Sequence, residues 1–161
     1  MTDRRSPPPV IWPVELVERL RRLARRGYPH EVCGLLVGRS DRHATRVARI
    51  SRARNLATDR LRDRFELDPT DYLRADREAR RDGLDVVGVW HTHPDHPARP
   101  SATDLASAWP ELSYVIVSVG VDGVRQIRCW RLDGGRFVEQ PLAHAPDRFG
   151  EPTERTEERR K

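Results

Sequence analysis

Three short apolar segments most constrain what this chain can fold into. They are residues 32–38, 84–90 and 114–119, and each is bounded by glycine or by polar residues. Continuous apolar runs of this length, rich in Val and Ile, are typical of strands that are buried on both faces of a sheet. A sheet covered on both faces needs helices on both sides, so these runs predict an α/β domain with helices flanking a mixed β-sheet.

Two amphipathic segments predict the covering helices. In residues 13–26 leucines recur at helical spacing, with Arg and Glu opposite them. Asp68 followed by Pro69 begins a second helix that runs to about residue 81, because Asp is a frequent N-cap and proline fits the first turn. Ser101 begins a third, shorter helix. The sequence therefore supplies at least one helix for each face.

Further strands are predicted at 46–52, 126–132 and 136–140, the last two joined across the turn signal Asp133-Gly134-Gly135. The proline-rich segment 1–9 is predicted to be a flexible arm. From about residue 143 the chain is polar and aperiodic, which predicts a disordered tail over 143–161. The sequence therefore predicts a single folded domain over residues 10–142.

Composition excludes several classes of function. The formal net charge of +5 comes almost wholly from arginine, but the arginines alternate with acidic residues, as in 59–64. Such mixed-sign segments are typical of solvated helix faces, so we expect no nucleic-acid binding. No apolar stretch approaches the roughly 20 residues that span a bilayer, and the N-terminus lacks the apolar core of a signal peptide. We expect a cytoplasmic protein that does not bind membranes.

The two cysteines, Cys33 and Cys129, each lie inside an apolar run and form no CxxC pair. A sulfur-rich metal site is therefore excluded. Nothing in the sequence places a histidine base next to either thiol, which argues against a cysteine nucleophile. Both are predicted to be small buried side chains.

His91-Thr92-His93 follows directly on the apolar run 84–90. In extended backbone, residues i and i+2 point to the same side, so both imidazoles can reach one ion. Asp104 lies in the first turn of the third helix, three residues after Ser101, so these two side chains share a face. Two histidines and a carboxylate suit Zn²⁺ and leave a fourth position for water, as in catalytic zinc sites.

Each of these residues also has a simpler interpretation when taken alone. The histidines could be a structural pair, and Ser101 could be only a helix N-cap. Asp104 could be only a favourable charge near a helix N-terminus. Glu31, which precedes the run 32–38, could be an exposed carboxylate, and spacing alone does not single it out.

With these residues in view, the chain resembles the JAMM (MPN+) metallopeptidases. Their pattern is a distant glutamate, then His-Ser/Thr-His, seven residues, Ser, two residues and Asp. Every element and spacing is matched here, by Glu31, His91-Thr92-His93, the seven residues 94–100, Ser101 and Asp104. The resemblance extends over about residues 10–140, including the segment 28–38 around the glutamate. It implies the cytidine-deaminase-like α/β fold of that family.

The resemblance also implies roles for the five residues. His91, His93 and Asp104 would bind one Zn²⁺ per chain. Glu31 would be the general base that activates the zinc-bound water and then protonates the leaving amine. Ser101 would stabilise the oxyanion. Because all five positions are filled, the resemblance favours an active enzyme over a non-catalytic interaction module, which remains an alternative.

The substrates implied by the resemblance are peptide or isopeptide bonds after the C-terminal Gly-Gly of ubiquitin-like proteins. The chain is short, and the predicted loop 55–64 is the only candidate for an insertion around the cleft, so it resembles the compact prokaryotic branch. Processing of a sulfur-carrier protein is the leading hypothesis, and removal of a ubiquitin-like modifier from lysine is the alternative. His96, in the loop 95–99, could face substrate, although a solvated side chain is the simpler interpretation.

Overall fold

The computed structural model describes residues 6–57 and 65–145 of the chain. Eight strands form one sheet, and helices lie against both of its faces. In chain order the elements are β1 (Val10–Trp12), α1 (Val14–Gly27), β2 (Cys33–Ser40), β3 (Thr45–Ala53), α2 (Pro69–Arg81), β4 (Asp85–Pro94), α3 (Ala102–Ala106), β5 (Ser113–Gly120), β6 (Gly123–Asp133), β7 (Arg136–Gln140) and β8 (Leu142–His144).

The strand order is β7-β6-β5-β4-β2-β3-β1-β8. The sheet is mixed, because β4 pairs in parallel with β5, and β1 pairs in parallel with both β3 and β8, while the other pairs are antiparallel. The predicted mixed sheet with flanking helices is thus confirmed. β7 and β8 are joined by Pro141 alone yet stand at opposite ends of the strand order, so the sheet curls until its two ends meet.

Two apolar clusters hold the helices to the sheet. The larger lies under α1 and includes Trp12, Leu20 and Trp90, all almost completely buried. The smaller lies under α2 and includes Leu35 and Val89. β4 contributes residues to both clusters, and an irregularity in its pairing with β2 interrupts the strict alternation of the pleat. The α2 cluster stops short of the last residues of β4, and that end of the strand carries the polar group described below.

The predicted helices begin and end close to the expected residues. In α1 the buried positions Val17, Leu20 and Ala24 follow the helical period. At the start of α2, the Asp68 carboxylate accepts a hydrogen bond of 2.8 Å from the Thr70 N–H, as expected of an N-cap. These helices were predictable because local spacing and capping determine them.

Two short strands and one strand boundary differ from the sequence prediction. β4 extends through Pro94, so both motif histidines lie within the strand instead of after it, because β5 pairs with β4 as far as Pro94 and Val119. β1 and β8 were not predicted. The tail was expected to begin at residue 143, yet β8 continues to His144, held by its pairing with β1. Residues 146–161 lie outside the described part of the chain.

The predicted arm and loop lie only partly within the described residues. Of the arm 1–9, residues 6–9 are described, and the carbonyls of Pro8 and Pro9 accept hydrogen bonds from Gln140 Nε2 and the Thr45 N–H. Of the loop 55–64, residues 58–64 lie outside the described part. The flexibility of both segments stays a prediction. In the described ranges, no helix has the length and apolarity needed to cross a membrane.

Candidate metal centre

The end of β4 carries two buried histidines on the α2 side of the sheet. His91 is fully buried and His93 is 8% exposed. Their side chains point to the same face because they are two residues apart on one strand, and their Nε2 atoms are 3.1 Å from each other. β4 is fixed from both sides, since His91 is paired with Cys33 of β2 and His93 with Ser118 of β5. The backbone therefore holds both imidazoles in place.

Asp104 reaches the histidines from the first turn of α3. A capping box fixes this turn: the Ser101 hydroxyl oxygen accepts from the Asp104 N–H at 3.1 Å, and Asp104 Oδ2 accepts from the Ser101 N–H at 2.7 Å. Asp104 Oδ1 lies 3.3 Å from His91 Nε2, and Oδ2 lies 3.3 Å from His93 Nε2. The cap thus orients the carboxylate towards both imidazoles.

These three side chains fit a tetrahedral metal ion. Their ligand atoms lie within 4.8 Å of one another, and the shortest separations are 3.1 to 3.3 Å. Bonds of about 2.0–2.1 Å to zinc place tetrahedral ligands roughly 3.3 Å apart. His93 Nδ1 lies 2.9 Å from the Pro97 carbonyl oxygen, which can only accept, so this nitrogen carries a proton, and in the neutral ring Nε2 is the nitrogen with the lone pair. The donor chemistry and the spacing both suit a divalent cation.

The electrostatics of the group favour the ligand forms of His91 and Asp104, whereas they favour the charged form of His93. Burial lowers the pKa of His91 despite the opposing effect of Asp104. Burial alone would also lower the pKa of His93, but hydrogen bonds to Asp104 and Pro97 raise it. Burial would raise the pKa of Asp104, yet the hydrogen bonds from both histidines hold it well below its usual range. An ionised carboxylate and a neutral imidazole with a free lone pair are the forms that bind metal.

Glu31 lies at the adjoining strand end. It lies two residues before Cys33, the first residue of β2, which is paired with His91, and it is only 5% exposed. The negative charge of Glu31 is one cause of the raised pKa of His93, so the two groups act on each other electrostatically. The exposed-carboxylate interpretation of Glu31 is therefore wrong, because the side chain is buried beside the histidines.

The sequence of residues 13–133 matches the family model described as prokaryotic homologs of the JAB domain. This chain belongs to the prokaryotic JAB family. The family is the prokaryotic part of the JAMM/MPN group that the motif resembles, so the chain is a JAMM-type peptidase.

Relatives of this JAB protein are known by name and by structure. A desampylase from Haloferax volcanii is 40% identical over 116 residues, covering 71% of this chain and 78% of the relative. The CysO-cysteine peptidase of Mycobacterium tuberculosis is 31% identical over 132 residues, covering 80% and 86%. A solution structure of a Desulfitobacterium hafniense protein is 30% identical, with a TM-score of 0.74, covering 84% of this chain and 92% of that one.

The other residues singled out in the sequence lie at the rim of the JAB site or away from it. Ser101 is exposed, and because its oxygen accepts the capping bond, its hydroxyl proton remains free to donate. His96 is also exposed. Burial raises the pKa of Cys33 and of Cys129 to about 12, so neither supplies a thiolate at neutral pH. The prediction that both cysteines are buried is confirmed.

Four contacts of the JAB site were not identified from the sequence. Phe65 stacks on His91 with ring centroids 4.3 Å apart, and the Pro97 carbonyl fixes His93. The side chains of Asn55 and Thr92 bind the backbone at Glu31 and Val32. The Ser/Thr position between the two histidines of the motif could have pointed to Thr92. No local sequence pattern marks Phe65, Pro97 or Asn55.

Proposed function

We propose that this JAB peptidase uses one zinc ion per chain to hydrolyse the peptide or isopeptide bond that follows the C-terminal Gly-Gly of a ubiquitin-like or sulfur-carrier protein. The observation that carries the proposal is the convergence of His91, His93 and Asp104, whose ligand atoms lie within 4.8 Å of one another, beside a buried glutamate. Similarity to a desampylase and to a CysO-cysteine peptidase supports the substrate class. A cytoplasmic location is part of the proposal.

The reaction needs a metal, a base and an oxyanion donor. Zinc, when bound by His91, His93 and Asp104, supplies a Lewis acid that lowers the pKa of water towards about 7. Glu31 accepts a proton from the attacking water as the water oxygen bonds to the carbonyl carbon. Glu31 then returns that proton to the leaving nitrogen as the carbon–nitrogen bond breaks. The chain itself therefore moves the proton in both halves of the reaction.

Ser101 would act on the carbonyl oxygen of the substrate. Its hydroxyl proton is not used by the capping bond and the side chain faces solvent, so it can donate to an oxygen that gains negative charge. The same residue orients Asp104 through its backbone N–H. One serine would thus serve both the ligand and the substrate.

Two kinds of leaving group are compatible with this chemistry. Processing of a carrier releases cysteine or another small adduct, and the similarity to a CysO-cysteine peptidase supports it. Deconjugation releases a lysine side chain, and the 40% identity to a desampylase supports that alternative. The bond broken is an amide in both cases, so the same residues act in both.

The test uses a ubiquitin-like protein ending in Gly-Gly, joined either to cysteine or to a lysine-containing peptide. Wild type should contain one zinc per chain by elemental analysis, and a chelator should abolish cleavage until zinc is restored. Glu31→Gln should retain zinc and lose activity by about a hundred-fold to ten-thousand-fold, the usual range for general acid–base catalysis. Equally slow cleavage by wild type and Glu31→Gln would contradict the proposal. The faster of the two substrates identifies the leaving group.

A further inference from the structure

Glu31 sits just outside the regular sheet, so the ladder bonds of β2 do not fix it. β2 begins at Cys33, and residues 31 and 32 have no regular secondary structure. A base must nevertheless be held firmly, since a displacement of about 1 Å can cost a hundred-fold in rate. Two side chains of the described chain bind the backbone at this point, and neither has a role in the mechanism above.

We propose that Asn55 and Thr92 are positioning residues that hold the Glu31 backbone from two sides and thereby set its carboxylate against the metal group. This inference rests on the proposed function, in which Glu31 is the base. Asn55 comes from the chain that follows β3, and Thr92 lies within β4 between the two histidines. Together they connect the base to both strands that neighbour β2 in the sheet.

Thr92 completes the pairing of β2 with β4 by means of its side chain. The Thr92 N–H donates to the Val32 carbonyl at 3.0 Å, as in an antiparallel pair. In such a pair the Val32 N–H would also donate to the backbone carbonyl oxygen of Thr92. Here it donates instead to Thr92 Oγ1, at 3.0 Å. The hydroxyl therefore replaces the last ladder acceptor at the residue next to Glu31.

Asn55 holds the other side of the same peptide. Its Nδ2 donates to the Glu31 carbonyl oxygen at 3.0 Å. Its Oδ1 accepts from the N–H groups of Ala57 and Glu66, at 3.0 and 2.8 Å. These two donors fix which end of the amide carries oxygen, so the NH₂ group must face Glu31. An Asp at this position would keep both acceptor contacts, lose the donor and add a negative charge.

The structure offers a matched set of variants for the test. Thr92→Val keeps the shape and removes the hydroxyl, whereas Thr92→Ser keeps the hydroxyl. Asn55→Asp places an acceptor opposite the Glu31 carbonyl. We expect Thr92→Val and Asn55→Asp each to lower kcat about ten-fold to a hundred-fold, with KM and zinc content unchanged, and Thr92→Ser to restore kcat to within about two-fold. A loss of activity that follows zinc loss or unfolding overturns the inference.

A second comparison shows whether the two residues act through Glu31. In single turnovers of a Glu31→Gln background, adding Thr92→Val or Asn55→Asp should leave the residual rate unchanged, because the base is already absent. If either change lowers that rate by the factor seen in the wild-type background, the residue acts elsewhere and the inference is wrong.

Amide exchange at Val32 tests the hydrogen bond from the Val32 N–H to Thr92 Oγ1 without an activity measurement. Exchange measured by NMR should be at least about ten-fold faster in Thr92→Val than in wild type or Thr92→Ser, because the N–H loses its acceptor. A crystal structure of Asn55→Asp should show the Glu31 carboxylate displaced. Unchanged exchange or an unmoved carboxylate overturns the inference, whereas an inactive wild type contradicts only the proposed function.

Discussion

Two fully buried side chains on opposite faces of β4 have different surroundings. Trp90 and His91 are consecutive, and both are fully buried, but they point to opposite sides of the sheet. Trp90 packs in the α1 cluster, and its ring N–H donates to the Ser51 carbonyl at 2.9 Å. His91 lies beyond the α2 cluster, among His93, Asp104 and Phe65. At this end of β4, the α1 face continues the apolar core, and the α2 face excludes water from the polar group.

The largest expected effect is on the polar face. His91→Gln removes a ligand and keeps similar volume, so activity should fall at least about a thousand-fold, equivalent to about 4 kcal/mol. Zinc content by elemental analysis should fall with it. The free energy of unfolding of the chelated protein should change by less than about 1.5 kcal/mol, the usual limit for volume-conserving changes. Full activity of His91→Gln with zinc bound would show that His91 is not a metal ligand.

The apolar face should show the opposite pattern. Trp90→Ala leaves a cavity in the α1 cluster and the Ser51 carbonyl without its donor, so the free energy of unfolding by urea should fall by about 3 kcal/mol. The remaining folded protein should still bind zinc. As a control, Val121→Ala, at a side chain that is 86% exposed, should change stability by less than about 0.5 kcal/mol. If Trp90→Ala abolished zinc binding in folded protein, the two faces would not be independent.

Ser101 belongs to the rim of the polar face, and its two roles can be separated. Ser101→Gly lacks the hydroxyl but remains an acceptable N-cap, costing only a few tenths of a kcal/mol in helix stability. Its kcat should nevertheless fall about a hundred-fold, since an oxyanion donor is lost. Ser101→Thr keeps the hydroxyl and should retain most of the activity. Normal turnover by Ser101→Gly, measured on the substrate used for Glu31→Gln, would leave Ser101 with the capping role alone.

The smallest expected effect is at the cysteines, one on each side of the sheet. Because burial raises both pKa values to about 12, the thiolate fraction at pH 8 is roughly one in ten thousand, and it grows only as pH rises towards 12. Neither thiol should react promptly with Ellman's reagent in the native protein, and both should react in urea. One fast thiol per native chain would show that a face is open to solvent.

Local pattern was sufficient for much of the fold and for part of the site. The shared side of His91 and His93 could be predicted because residues two apart in extended backbone point the same way. Asp104 could be predicted because the capping box with Ser101 is a contact between residues three apart. These features depend on neighbours within a turn or a single strand.

The rest depends on pairings that local pattern does not encode. Glu31 reaches the site because Cys33 pairs with His91, a contact between residues far apart in the sequence, and only the family pattern pointed to it. β1 and β8 have three residues each and exist through their pairing with each other and with β3. The bond from His93 to Pro97 uses a backbone carbonyl, which every residue possesses.

The closure of the sheet has a consequence for the order of events on the ribosome. All three proposed metal ligands have been synthesised once Asp104 is added, but β8, which covers the outer edge of β1, is complete only at His144. At 5–20 residues per second, the 40 intervening residues (144 − 104) take roughly 2–8 s. During that interval β1 has an unpaired edge, the kind of surface to which another chain can add a strand. The nascent chain thus carries an unpaired strand edge after its site residues have been synthesised and before β8 pairs with β1.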